Sequence, residues 1–290
     1  MYVCVMRDLL FLFFILIISS CTKIEDVIVD GNTHPNDPTI ENTVIENYVN
    51  KLYISTIGRE PTKVEFDDNF ETLREANLSQ LSREIVIDKV LDKAEYFNNL
   101  FKLESANILN GVDTNMINER VYIYNFLLTT VSGFDSIYVV YELERMLTFQ
   151  QALPELNAEI ITNTELYKRM VNNNFFDEIN MGTENFVIAM FQHFLLRYPT
   201  QAEVENASDM VNDGNATVFF ETGNGKDDFI NIFFASDEYY TGQTNILFNR
   251  YLFRNPTSEE SVNYSLDYIN TGDYKLLQKR VLSNNEFIGL

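Results

Sequence analysis

The feature that most constrains the fold is a short phrase that occurs three times along the chain. The phrase has the form R-x-P-T-x-x-E and reads REPTKVE at 59–65, RYPTQAE at 197–203 and RNPTSEE at 254–260. Proline cannot continue a helix, and it biases the preceding residue away from helical geometry. A threonine followed three residues later by glutamate forms a capping box, which begins a new helix. Each phrase therefore predicts a corner between two helices.

The residues before each arginine have the spacing of a helix face. Upstream of Arg59, apolar residues stand at Tyr48, Leu52 and Ile57, and similar stripes precede the other two arginines. The arginine then closes the helix, where a cation suits the negative end of the helix dipole. The phrase is therefore architectural and requires no catalysis. The predicted corner residues are Arg59, Pro61, Thr62, Glu65, Arg197, Pro199, Thr200, Glu203, Arg254, Pro256, Thr257 and Glu260.

Each corner is followed by an apolar run that ends in a glutamate and an aromatic residue. We predict that the corner arginine pairs with this glutamate and clamps two helix ends, as Arg59 with Glu95, Arg197 with Glu238 and Arg254 with Glu286. A fourth run, at 166–176, lacks both the glutamate and a proline corner. The sequence thus predicts an all-α domain of three clear helix–corner–helix units and a degenerate fourth. They would pack as an irregular bundle or a short solenoid.

The first unit resembles two families of exported bacterial proteins. The motif Y-V-N-K-L-Y at 48–53, with G-R-E-P-T at 58–62 and Glu95-Tyr96 downstream, is similar to the helical DUF4214 repeat of bacterial surface proteins. The longer stretch 48–124 also resembles the DUF1549 domain. Only the first unit has the corner glycine, Gly58, which Leu196 and Phe253 replace in the other two. The resemblance implies an extracytoplasmic helical module with a binding or scaffolding role.

The N-terminus predicts export and lipid attachment. A ten-residue apolar run at 9–18 is too short for an ordinary transmembrane helix and is typical of a signal peptide. It leads into Ile18-Ser19-Ser20-Cys21, which resembles the lipobox of bacterial lipoproteins. The sequence therefore predicts a signal peptide at 1–20, a lipid-bearing Cys21 with an acidic tether at 21–43, and a helical domain at 44–290. The motif K-I-E-D at 23–26 resembles a surface-export signal, so we expect an outer-membrane lipoprotein at the cell surface, with the periplasmic face as the alternative.

Composition excludes several kinds of chemistry. The net charge of −22 disfavours nucleic acid as a partner. The two cysteines are Cys4, in the predicted signal peptide, and Cys21, so the mature chain keeps no free thiol. The two histidines, His34 and His193, are too few for a histidine-based metal site or triad, and we predict neither metal nor cofactor.

The residues of several segments fit more than one structural role. Residues 113–115 and 212–215 carry oxygen-rich side chains that suit either calcium or polar turns. Residues 217–228 predict an exposed, glycine-rich loop. A set of tyrosines fits either the core or an exposed recognition stripe; its members are Tyr239, Tyr240, Tyr264 and Tyr268.

The function predicted from these features is a non-catalytic binding or scaffold subunit of an outer-membrane assembly, whose partner is a protein or a surface glycan. The alternative is a carbohydrate-processing enzyme, or a sugar-binding accessory protein, that uses acidic and tyrosine side chains. A cleft with two carboxyl groups about 5–10 Å apart would favour catalysis. A broad exposed apolar patch would favour a partner interface.

Overall fold

Helices dominate residues 38–289, the part of the chain that the computed structural model describes, and the predicted all-α class is confirmed. The predicted signal peptide, Cys21 and most of the predicted tether lie outside the described residues. The first helix begins at Pro38, earlier than the boundary at 44 that the sequence suggested, and proline is well suited to a first helical position. The helices are α1 (Pro38–Ile57), α2 (Lys63–Glu75), α3 (Gln80–Leu91), α4 (Glu95–Ile108), α5 (Thr114–Leu127), α6 (Phe134–Gln150), α7 (Ala152–Asn157), α8 (Asn163–Val171), α9 (Asn174–Ile179), α10 (Thr183–Leu195), α11 (Gln201–Val211), α12 (Lys226–Ala235), α13 (Asp237–Leu252), α14 (Ser258–Thr271), α15 (Tyr274–Leu282) and α16 (Asn285–Ile288).

One β-hairpin interrupts the helices where the sequence predicted an exposed loop. Strands β1 (Ala216–Val218) and β2 (Glu221–Gly223) pair antiparallel. The two residues at the tip, Phe219 and Phe220, both have positive φ, of 50° and 67°. Phe219 packs against core phenylalanines, whereas Phe220 is fully exposed.

Neighbouring units share helices. Helix α13 begins beside Glu238, the predicted clamp residue of one corner, and ends just before Arg254, the arginine of the next corner. The degenerate unit consists of α8 and α9, joined by the buried Asn173. The side chain of Asn173 accepts hydrogen bonds from the backbone of Phe175 and Phe176 and caps α9. An asparagine also caps α16, at Asn284, so the degenerate unit differs in having Phe175 at the position of Glu286.

The first and last units pack against each other. The Tyr96 hydroxyl donates a hydrogen bond to Gln278 at 2.6 Å, and the Lys51 ammonium donates to the Phe287 carbonyl at 2.9 Å. One buried apolar cluster contains residues from both ends of the domain. The domain therefore closes on itself as a bundle, which decides between the two arrangements that the sequence left open.

The three corners share a left-handed residue immediately before the arginine. Gly58 has φ of 75°, which glycine adopts without steric cost, whereas Leu196 and Phe253 both have φ of 55°. A left-handed conformation costs an ordinary residue about 1–2 kcal/mol. The tertiary structure therefore imposes the same backbone turn at all three corners, with or without glycine.

We predict that Phe253→Gly is more stable than Phe253→Ala by about 1 kcal/mol, since both remove a side chain that is 83% exposed and only glycine relieves the left-handed strain. Urea unfolding of the two variants measures this difference. An alanine variant as stable as the glycine variant would contradict the strain at this corner.

Candidate interaction surface and corner clamps

Each corner contains a complete capping box. The backbone N–H of Thr62 donates to the Glu65 carboxylate at 2.7 Å, and the Thr62 hydroxyl accepts from the Glu65 backbone N–H. The boxes at Thr200 and Thr257 have the same two bonds. The side chain of the glutamate is therefore fixed at the start of the second helix, facing the arginine that ends the first.

Each corner arginine binds two glutamates. Arg59 donates to the Glu65 carboxylate at 2.7 Å and to the Glu95 carboxylate at 2.9 Å. All three predicted arginine–glutamate pairs are present, and each arginine also holds the glutamate of its own capping box. The equivalent contacts join Arg197 to Glu203 and Glu238, and Arg254 to Glu260 and Glu286.

An aromatic ring lies beside each guanidinium. Arg59 lies 5.8 Å from the ring centroid of Tyr53, and Arg197 lies 4.8 Å from that of Phe191. Arg254 has the same relation to Phe248 at 5.2 Å. This ring shields one face of the guanidinium and adds a cation–π contact. This ring was not predicted from the sequence, although an aromatic residue stands six positions before every corner arginine.

Each corner arginine holds the glutamate of its own capping box ionised. Hydrogen bonds from Arg197 lower the pKa of Glu203 to about 2, and those from Arg254 lower the pKa of Glu260 to about 2. Arg59 holds the pKa of Glu65 well below its ordinary value in the same way. A general acid or base needs a pKa near the operating pH. These carboxylates therefore serve structure and are poorly suited to proton transfer.

The other residues singled out by sequence have local structural contacts. His193 packs between the rings of Phe176 and Phe194, and its burial lowers its pKa. Tyr239 and Tyr268 are buried. Tyr240 and Tyr264 are partly buried and pack on the core. This arrangement supports the core interpretation of the tyrosine set.

The two oxygen-rich segments are polar turns. The Asp113 carboxylate accepts from the Met116 backbone and caps α5. The Asn212 side chain accepts from the Thr183 hydroxyl, and the Asp213 carbonyl accepts from Asn224. Over residues 38–289, no three His, Cys, Asp or Glu side chains are grouped as a metal site would require.

The antiparallel helices α5 and α6 expose a broad apolar face, which we call the hairpin surface. Phe134, at the start of α6, is 90% exposed, and Tyr122 on α5 is 70% exposed. Large apolar patches on a folded domain commonly mark interaction sites. The hairpin surface consists of Tyr122, Ile123, Phe126, Phe134, Ile137, Tyr138, Val140 and Tyr141.

The hairpin surface is also almost free of charge. Between positions 121 and 141, Asp135 is the only Asp, Glu, Lys or Arg, although such residues make up 22% of the chain. This local lack of charge is visible in the sequence, although no interaction surface was predicted from it. Helical periodicity by itself favours a core position for such aromatic residues.

A polar cleft of about 410 Å³ lies beside the hairpin surface, where Tyr141 lines both. Its carboxylates include Glu165, which accepts from Arg169 at 3.0 Å, and Asp227, which accepts from Asn172 at 2.9 Å. Glu144 is a third acidic residue of the lining. The cleft therefore contains acidic and tyrosine side chains, but two of its three carboxylates already have protein partners.

A buried charge network lies near this cleft. Arg145 donates to Glu142 at 2.9 Å and to Asp177 at 2.6 Å, and Lys226 donates to Asp177 at 2.5 Å. Burial raises the pKa of Glu142, while Arg145 opposes that shift. The two positive and two negative side chains neutralise one another. The network therefore has a structural role and links α6, α9 and α12.

No family model, curated protein or solved structure matches this chain. The resemblance to the two helical families therefore stays a hypothesis. Among the described helices, none combines the length and the apolar character needed to cross a bilayer.

We predict that Arg59→Met destabilises the domain by about 1–2 kcal/mol, because it leaves Glu95 without its charged hydrogen-bond partner while Lys93 continues to pair with Glu65. The control is Arg74→Met, which removes only an exposed pair with Glu71, worth about 0.5 kcal/mol or less. Thermal unfolding of both variants tests this, and equal shifts in Tm would refute the clamp.

We predict that the stability contributed by Glu203 depends on pH. Because its folded pKa of about 2 lies below its ordinary value of 4.5, the contribution is complete above pH 4.5 and is lost as the pH falls towards 2. Glu203→Gln should therefore cost about 1–2 kcal/mol at pH 7 and progressively less between pH 4.5 and 2.

Urea unfolding across this pH range measures the difference. Glu205→Gln, which changes an exposed carboxylate on the same helix, is the control and should differ little from the parent at any pH. A Glu203→Gln penalty that stays constant down to pH 2 would contradict the ionic clamp.

Proposed function

We propose that this protein is an exported, lipid-anchored binding or scaffold subunit of an outer-membrane assembly, exposed at the cell surface and without catalytic activity of its own. The observation that carries the proposal is the hairpin surface. It is the broad apolar patch that favours a partner interface over catalysis. The predicted lipid on Cys21 would supply the attachment to the membrane.

The chemistry of the hairpin surface suits a protein partner. Interface cores are enriched in tyrosine and phenylalanine and depleted of charge. The surface contains three tyrosines and two phenylalanines, and aromatic side chains commonly dominate the energy of binding. Its helices are held on the domain by buried residues of their inner faces, such as Val121 and Met146, so the surface is pre-organised.

The second candidate function is sugar binding or carbohydrate processing in the cleft beside Tyr141. The specific observation in its favour is the combination of Tyr141 with Glu144 and Asp227 around one cavity. A glycan array with the purified protein tests this alternative, with Asp227→Asn as the comparison. Glycan binding that this variant loses would favour it.

We expect a second polypeptide, either another protein or an untagged copy of this chain, to co-purify in stoichiometric amount when the tagged full chain is expressed beside an untagged copy and isolated from gently solubilised membranes. Phe134→Ser and Ile137→Ser should each reduce that co-purification at least tenfold, because each removes an exposed apolar contact. Mass spectrometry of the isolated material measures the ratio.

The matched control is Phe220→Ser, which changes a fully exposed phenylalanine on the β-hairpin. It should leave co-purification unchanged. Recovery of the tagged chain alone, with neither another protein nor the untagged copy, together with glycan binding, would replace this proposal by the sugar-binding alternative.

A further inference from the structure

We propose that the occupant of the hairpin surface is a second copy of this chain, bound face to face through the same residues. This inference rests on the proposed function and names its first partner. The contact would be isologous, so the α5–α6 pair of one copy would pack on the α5–α6 pair of the other as a four-helix layer.

The two helices are apolar on opposite faces. Ile117 and Val121 on α5, and Val139 and Met146 on α6, are buried against the domain. The opposite side of the same helices carries the hairpin surface, in which Phe134, Ile137 and Tyr141 follow one another at helical spacing. A helix that is apolar all round is normally buried. The outer face thus has the pattern of a second packing interface.

The size of the surface fits a stable dimer. At about 200 Å² for each large side chain, the exposed fractions of its eight residues amount to roughly 900 Å². A standard protein interface buries about 800 Å² from each partner. The hairpin surface alone can therefore supply one side of such an interface.

The charge of the hairpin surface favours a copy of this chain over a membrane as its occupant. Segments that lie in a membrane surface typically carry lysine and arginine on their polar face. The stretch 121–141 contains neither, and its one charged residue, Asp135, is exposed directly beside Phe134. The net charge of −22 adds repulsion from anionic headgroups.

Apolarity favours a copy of this chain over an unrelated protein. Homodimer interfaces are the more apolar class, whereas partners that associate reversibly meet through surfaces of average polarity. Two chains of −22 each repel at long range, so they can associate only through a region that places no like charges in contact. The stretch 121–141, whose one charged residue is Asp135, keeps such contacts to a minimum.

The test uses the full chain in two forms with different affinity tags, co-expressed and gently solubilised. Isolation through the first tag should recover the second tag in comparable amount. Ile137→Glu in both forms should reduce this recovery at least tenfold, because two carboxylates would face one apolar interface. Ile137→Lys in both forms should do the same, whereas the combination of one Glu form with one Lys form should restore recovery.

Phe220→Glu in both forms is the control and should leave recovery unchanged. Loss of recovery in the Ile137 variants, which keep the same anchor, excludes shared detergent micelles as the cause. Higher salt should strengthen the association, because it screens the repulsion between two acidic domains. Circular dichroism of the Ile137 variants should match the parent, since Ile137 is exposed.

Three results would overturn the proposal. Suppose that the second tag is not recovered but a different protein is, and that this protein is lost in the Ile137 variants. This result would reject a second copy as the partner and leave the binding function standing. Failure to recover any protein would remove both. Flotation of the chain with phosphatidylcholine vesicles, lost in Ile137→Glu and without co-recovery of the two tags, would assign the hairpin surface to the membrane.

Discussion

The structure depends on one repeated interaction, in which an arginine at the end of one helix binds two glutamates from two other helices. One glutamate lies six residues ahead in the capping box, and the other lies 36, 41 or 32 residues ahead at a later helix start. A guanidinium has five donors in a planar fork and can bind two carboxylates at once. One side chain thereby fixes the relative positions of three helix ends, whereas a simple surface ion pair joins only two side chains.

The clamps are partly shielded from water, and this shielding increases their contribution to stability. The aromatic ring six residues earlier covers each guanidinium, and the capping box orients the nearer carboxylate before the arginine meets it. Exposed ion pairs generally contribute little because of solvation and side-chain entropy. Pre-oriented partners reduce the entropic part of that cost. At Leu196 and Phe253 the chain tolerates left-handed backbone strain at the same corners, which indicates that the clamp and the packing around it outweigh that strain.

The clamped bundle also explains why an exposed apolar hairpin can persist on an acidic domain. The buried sides of α5 and α6 are anchored in the core, so the outer faces have no conformational freedom to fold inward. The polar cleft at Tyr141 adjoins the hairpin surface and contains the ion pair between Arg169 and Glu165. Charged side chains therefore stabilise the corners and the buried network, whereas the hairpin surface is almost free of charge and open to a partner.

The sequence by itself determined the corners, the capping boxes and the three arginine–glutamate pairs, because helix ends and caps depend on residues close together in the chain. It also determined the all-α class through the spacing of apolar residues. Only the tertiary structure decided that the first and last units meet, as Tyr96 and Gln278 do, since loop closure over that separation leaves no local pattern. Periodicity likewise could not separate the buried Tyr239 from the exposed Phe134, because an apolar residue on a helix face looks the same whether another helix or solvent lies opposite.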